Sequence, residues 1–295
     1  MRRFEFVAVD VFTETPFGGN PLAVFPEAEG IAGEEMQRLA AEFNWSEITF
    51  VLPPEDPANT ARVRIFNPAY EMPFAGHPNV GTALVLDSLG RATGDRMVFE
   101  EQAGLVEIGI ARPPSGAARA RIAAPEPLSV RFELPAAGVA ACAGLAAHEV
   151  IVGTHAPVLA SVGHPFVFAE VSHDSLRRAA PDTSAFRALA EAVPELEGRL
   201  SIHLYARLAD RIATRMFSPL ANIVEDPATG SANAALAALL LSHGDGEDFA
   251  ADVTQGEEMG RPSFLAVSAH RVADGIRASV EGACVRLMEG TVTLP

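Results

Sequence analysis

Apolar residues recur along the chain with two periods. Over residues 4–11, Val7, Val9 and Val11 alternate with smaller or polar residues, which predicts a strand, and a second strand follows over 21–25. Over 34–43, Met36, Leu39, Ala40 and Phe43 fall at helical spacing behind two acids in the first turn, which predicts a helix. Residues 47–52 are rich in β-formers, and over 61–66 Val63 and Ile65 alternate with Arg62 and Arg64, as in a half-buried strand. A helix is predicted from about 78 to 89, stopped by Gly90, then short strands over 97–102, 105–111 and 118–122. Ala123-Ala124-Pro125-Glu126-Pro127 reads as a linker. Beyond it the order returns: strands near Val158 and Phe166, a helix over 184–192, strands over 202–206 and 211–217, and a helix after Asp226. Late strands are predicted over 264–268, 275–280 and 285–292. The runs 82–89 and 232–241 are apolar on most faces, as buried helices are. Many short strands with one apolar helix per half predict an α+β fold.

The return of the order extends to residues. Arg64-Ile65-Phe66-Asn67-Pro68, a loop, and His77-Pro78-Asn79-Val80-Gly81-Thr82-Ala83 resemble Arg215-Met216-Phe217-Ser218-Pro219, a loop, and Asp226-Pro227-Ala228-Thr229-Gly230-Ser231-Ala232. In this alignment His77 stands where Asp226 stands. Gly19-Asn20-Pro21-Leu22-Ala23-Val24-Phe25 likewise matches Gly163-His164-Pro165-Phe166-Val167-Phe168-Ala169. The period is far longer than that of a solenoid, so it describes two domain halves. Two lobes are expected: residues 1–124, completed by a returning last strand near 283–295, and residues 125–282. Two titratable groups on equivalent loops predict a site between them.

Composition narrows the function. A formal charge of −16 opposes binding to a phosphate backbone, so no nucleic-acid partner is expected. The two cysteines, Cys142 and Cys284, lie in no CxxC or His-rich context, which predicts buried thiols and neither a metal site nor a disulfide. The start of the chain lacks the apolar core of a signal peptide, and no run approaches a membrane span, so a cytoplasmic protein is expected. No GxGxxG, GxSxG or HExxH motif is present.

Three features could carry chemistry. The two Pro-containing helix starts leave backbone N–H groups that suit a carboxylate, with Gly81 and Gly230 permitting close approach by a ligand or another helix. For either loop alone, turn-shaping by Pro and Gly is the better account; for the matched pair, a functional role is. The third feature is Glu47, beside the only tryptophan, Trp45, and among β-formers. A carboxylate in apolar surroundings is costly unless solvated, paired or protonated, and burial would raise its pKa toward the range useful for acid–base work. The alternative is a solvated strand face.

These segments together resemble the phenazine-biosynthesis-type isomerases (PhzF-like) of the diaminopimelate-epimerase-like superfamily. The matching pieces are Asp10-Val11-Phe12-Thr13 through Pro16 to Phe25, then 44–51 around Glu47, then Pro73-Phe74-Ala75-Gly76-His77-Pro78, and Glu225-Asp226-Pro227-Ala228-Thr229-Gly230-Ser231-Ala232, with the turn Gly260-Arg261-Pro262-Ser263. Trp45 departs from the leucine frequent there, which bears on the pocket wall beside Glu47. The resemblance implies two pseudo-repeated lobes, each a curved, mainly antiparallel sheet around a central helix. It implies no cofactor, no metal, and commonly a homodimer. It maps a catalytic Glu onto Glu47 with His77 and Asp226 in support, and a substrate carboxylate onto Gly76, His77, Gly230 and Ser231, with Asn20 and Ser46 as further candidates. Related racemases use one cysteine per lobe, but neither cysteine here lies in the paired loops. The expected activity is a cofactor-independent proton shift on a small carboxylate-bearing metabolite. An epimerase, or a non-catalytic small-molecule binder on the same fold, stands as the alternative.

Overall fold

The structure, a computed structural model, describes residues 1–92 and 94–295. Its first elements are β1 (Arg2–Val11), β2 (Asn20–Phe25), α1 (Gly33–Phe43), β3 (Glu47–Leu52), β4 (Ala61–Phe66), β5 (Glu71–Met72), α2 (Gly76–Ser88), β6 (Arg96–Glu101), β7 (Gly104–Ala111) and β8 (Arg119–Ala123). They continue with β9 (Ser129–Glu133), α3 (Ala136–Cys142), β10 (Val150–Ile151), β11 (Val158–Ser161), β12 (Pro165–Val171), α4 (His173–Arg178), α5 (Thr183–Ala192), β13 (Ile202–Arg207) and β14 (Ile212–Ser218). The last are β15 (Ile223–Asp226), α6 (Gly230–Ser242), β16 (Asp248–Gln255), β17 (Ser263–Val272) and β18 (Gly275–Leu294). Contacts divide the chain into two compact units, Met1–Ala123 with Glu281–Pro295, and Ala124–Val280.

In the first unit β1 runs antiparallel to β18 and to β2. The order continues β2–β3 parallel, β3–β4 antiparallel, β4–β6 parallel, and β6–β7–β8 antiparallel. This sheet wraps α2, which packs on β1, β2, β3, β7 and β8. Every residue of α2 from Gly76 to Leu86 is buried, which explains an apolar run without a polar face. Outside the sheet, α1 seals a cluster of aromatic rings in which Phe25 stacks on Phe50 and Phe43 meets both Phe6 and Trp45 edge-on.

Gly81 does not open α2 to a ligand or another helix. A Cβ there would lie 2.6 Å from Leu22 Cδ2 and 2.7 Å from Val11 Cγ2, so the glycine lets the helix approach β1 and β2. Gly81→Ala is expected to lower stability by about 1–3 kcal/mol, the usual cost of overpacking a filled core. An unchanged urea midpoint would contradict that packing.

The second unit repeats the pairing pattern: β12–β13 parallel, β13–β14 antiparallel, β14–β16 parallel, β16–β17 antiparallel. Its α6 is buried at eleven of thirteen positions. A separate core of α3, α4 and α5 covers the other face of the sheet, with Phe186, Leu189 and Leu176 packed against Phe217 and Leu204.

Strand pairing corrects the alignment of the repeat. Ile48 faces Phe66 and Ile202 faces Phe217, so those pairs are equivalent. Arg64 then matches Arg215, and each makes a two-pronged ion pair, with Glu71 and Glu225 respectively. Each helix begins five residues beyond its glutamate, at Gly76 and at Gly230. In this register Met72 stands where Asp226 stands, both being β-partners of the equivalent Ile65 and Met216. His77 is matched by Ser231, not by Asp226. The X-Pro-x-x-Gly pattern misled because proline suits two places here: Pro78 is inside the first turn of α2, whereas Pro227 precedes α6.

Candidate active site

The first unit gathers five of the expected residues. Gly19 has φ 60°, and a Cβ there would meet the Val11 carbonyl oxygen at 2.2 Å, so only glycine turns the chain from the loop into β2 at Asn20. At the far end of α1, Asn44 takes the left-handed conformation and its N–H donates to the Ala40 carbonyl at 3.1 Å. The chain reverses there, Trp45 packs edge-on against Phe43, and Ser46 Oγ donates to Asn20 Oδ1 at 3.0 Å. Trp45 is therefore anchored in the aromatic cluster. Glu47 follows as the first residue of β3, opposite Leu22.

Glu47 is not on a solvated strand face: its side chain is 13% exposed, and that of His77 is 6% exposed. Glu47 Oε2 lies 3.4 Å from His77 Nε2, a contact without hydrogen-bond geometry. Burial pushes His77 down to about 3, partly opposed by a hydrogen bond to the Pro21 carbonyl. The imidazole is therefore neutral across the physiological range. A carbonyl can only accept, so the ring nitrogen that meets Pro21, Nδ1, carries the hydrogen. The lone pair is left on Nε2, facing Glu47. His77 is the second residue of α2 after Gly76. The N–H groups of these first-turn residues have no partner within the helix and can serve an anion.

Asp226, Gly230 and Ser231 lie in the second unit. Asp226 is buried, and Thr229 Oγ1 donates to its Oδ2 at 2.5 Å. Gln255 holds the whole turn. Its Nε2 donates to the Asp226 carbonyl at 2.8 Å and to Thr229 Oγ1 at 3.0 Å. Its Oε1 accepts from the Thr229 N–H at 3.1 Å and from Asn233 Nδ2 at 2.7 Å. Gln255 closes β16 and is 1% exposed. Nothing in the local sequence marks it, because its place at the helix start is set by the pairing of β16 with β14.

Both thiols are inert toward proton transfer. Burial pushes Cys142 and Cys284 up to about 12, so neither supplies a thiolate near neutral pH. Among the described residues no three His, Cys, Asp or Glu side chains cluster as a metal site, and no helix is long and apolar enough to cross a membrane.

A glutamate held against a neutral imidazole at a helix N-terminus can exchange a proton with a bound ligand. Comparison with known proteins gives the family. The family model for phenazine biosynthesis-like proteins (PhzC-PhzF) matches residues 9–290. An uncharacterised isomerase of Mesorhizobium japonicum is 37% identical, over 98% of this chain and 99% of its own. The trans-2,3-dihydro-3-hydroxyanthranilate isomerase of Pseudomonas aeruginosa is 36% identical, over 98% of this chain and 99% of its own. The crystal structure of a PhzF-family phenazine biosynthesis protein from Bacillus anthracis superposes with a TM-score of 0.90 at 25% identity, each chain fully covered. The chain belongs to the phenazine biosynthesis-like protein family. It is an enzyme of the isomerase class found among these relatives.

Proposed function

We propose that the protein is a cofactor-independent isomerase that moves a proton between two carbons of a small, unsaturated carboxylate. The observation that carries this reading is the Glu47–His77 contact, with its hydrogen fixed on the far nitrogen. Glu47, as carboxylate, removes a proton from one carbon; the electron pair left behind shifts the double bond; Glu47 returns the proton to the carbon at the other end. Nothing is oxidised or reduced, and substrate and product have the same atoms. Between the two steps, His77 Nε2 accepts a hydrogen bond from the protonated Glu47 and keeps it oriented. In this reading the N–H groups of Gly76 and His77 hold the substrate carboxylate, and Asn20 and Ser46 line its approach to Glu47.

The relative from Pseudomonas aeruginosa suggests the first compound to test, since its name denotes an unsaturated cyclic amino acid. With trans-2,3-dihydro-3-hydroxyanthranilate or a related cyclic unsaturated carboxylate, the expected result is a change in the ultraviolet spectrum as the double bond moves. An epimerase would exchange one stereocentre and leave the spectrum unchanged. A non-catalytic binder would bind the compound without altering it.

A further inference from the structure

His155, Tyr205, Glu170, Arg207 and His243 form a polar cluster in the second unit, to which the proposed proton transfer assigns no part. His155 lies in the segment 152–157 that joins β10 to β11. It is 8% exposed, and Tyr205 on β13 is fully buried. The imidazole is held at both nitrogens. Nδ1 lies 2.7 Å from the Ala156 carbonyl oxygen, and Nε2 lies 2.9 Å from the Tyr205 hydroxyl. That hydroxyl is also 3.2 Å from Glu170 Oε2 on β12. Arg207, at the end of β13, donates to Glu170 Oε2 at 3.2 Å and to Thr154 Oγ1 at 2.8 Å. The exposed ring of His243, just past α6, stacks on His155 with centroids 5.4 Å and planes 23° apart.

The hydrogens in this run can be counted. A carbonyl oxygen only accepts, so Nδ1 carries a hydrogen whether or not the ring is charged. A neutral ring then presents a lone pair at Nε2. Tyr205 has one hydrogen, and burial pushes its phenol up, so that hydrogen stays at ordinary pH. The run from His155 Nε2 through Tyr205 Oη to Glu170 Oε2 thus has one hydrogen for two contacts. The shorter contact takes it: Tyr205 donates to Nε2, and Arg207 supplies Glu170. A proton added to His155 brings the second hydrogen. Nε2 then donates to Tyr205, and Tyr205 turns its own hydrogen to Glu170. A buried histidine can therefore take a proton here without leaving its partner. The same proton sets a charge against the His243 ring.

We propose that the cluster is a pH-operated latch between the 152–157 segment and the end of α6. It is closed while His155 is neutral, accepts the Tyr205 hydrogen and stacks on His243. It opens in acid, when the run to Glu170 reverses and the two imidazoles, both charged, repel each other. His155 stays on Tyr205 in both states; the contact with His243 is what parts. The latch is independent of the proton transfer at Glu47.

The groups around His155 set the direction. Burial holds its titration below the ordinary 6.5, and the bond to the Ala156 carbonyl opposes this. Of the charges that face it, His243 at the end of α6 and Arg207 on β13 lower it further, and Glu170 on β12 raises it. Arg271, the cation that β17 brings to the same end of α6, is engaged with the carbonyls of Leu241, Gly244 and Gly246. An unfolded histidine titrates near 6.5, so as pH falls the unfolded chain takes up this proton first. The stability that neutral His155 contributes is therefore full above 6.5 and is lost as pH falls through the lower folded value.

The test is NMR of labelled histidine and tyrosine rings from about pH 8 to about pH 5, in the wild type and in His243→Gln. At the alkaline end His155 should carry its hydrogen on Nδ1 alone and show ring-to-ring cross-peaks with His243. On acidification Nε2 should gain a hydrogen, and the Tyr205 ζ-carbon resonance should move with the same midpoint. The cross-peaks should be lost over the same range. His243→Gln changes an exposed residue, so the fold should survive, and the His155 midpoint should shift up toward 6.5. Three results would each overturn the proposal: a hydrogen on Nε2 at the alkaline end, a Tyr205 resonance that does not follow His155, or cross-peaks that persist once His155 is charged. An unshifted His155 midpoint in His243→Gln would overturn it too. The wild-type titration needs no variant, so a poorly folding His243→Gln leaves the test intact.

Discussion

Glu47→Gln is expected to lower turnover by roughly 10²–10⁴ while the fold and ligand binding survive, the usual contribution of a positioned acid–base group. The amide keeps the shape of the side chain on β3, and its N–H can still face His77 Nε2 across the 3.4 Å contact. It cannot take a proton from carbon. Loss without unfolding would therefore point to the titratable group and not to packing. Turnover and ligand affinity measured together decide the matter: near-native turnover removes Glu47 from the chemistry, and lost affinity at unchanged turnover makes it a binding residue.

Arg215→Ala is expected to lower stability by about 3–5 kcal/mol, because it leaves a paired carboxylate without its partner in a buried place. Arg215 is 5% exposed, and its fork meets both oxygens of Glu225 at 2.8 Å. The third guanidinium nitrogen, Nη1, donates to the carbonyls of Leu176 and Ala179 at 2.9 and 2.7 Å, which ties the end of α4 to β14. The planar face covers the Phe217 ring at 4.9 Å. Glu225 directly precedes Asp226, so the loss should also loosen the Asp226 turn. Arg215→Lys keeps the charge and loses the fork, so it should recover only part of the stability. A urea-unfolding difference below about 1 kcal/mol for the alanine variant would show that the pair is dispensable.

Much of this architecture is visible in the periodicity. The alternation of Val63 and Ile65 with the arginines marks β4, and the runs without a polar face mark α2 and α6, because a helix enclosed by a sheet needs none. Glu47, His77, Gly76, Asn20 and Ser46, which the first unit brings together, stand out in the sequence because the motif around each is local and dense. The register of the repeat was not, since proline and glycine suit several positions near a helix start. Short elements were also hidden. α3 is seven residues, mostly alanine, with no side-chain cap, so it carries no stripe. The predicted break between two late strands is absent: Gly282 lies inside the continuous β18, where a Cβ would meet the Phe12 ring at 2.2 Å. That glycine serves packing and not a turn. Gln255 escaped notice because its role depends on which strand end reaches which helix start, and that is set by strand pairing far away in sequence.

The central claim is that Glu47 carries a proton from one carbon of the substrate to another. It is tested most directly by running the reaction in deuterium oxide with trans-2,3-dihydro-3-hydroxyanthranilate, or with whichever cyclic unsaturated carboxylate turns over, and locating the label. Transfer on one carboxyl predicts that deuterium, gained to the extent that the carboxyl exchanges with solvent between steps, enters only at the carbon that gains the proton, together with the spectral change of a moved double bond. Glu47→Gln should abolish both. Deuterium returned to the original stereocentre with the double bond unmoved, or label incorporated at the wild-type rate by Glu47→Gln, would contradict it.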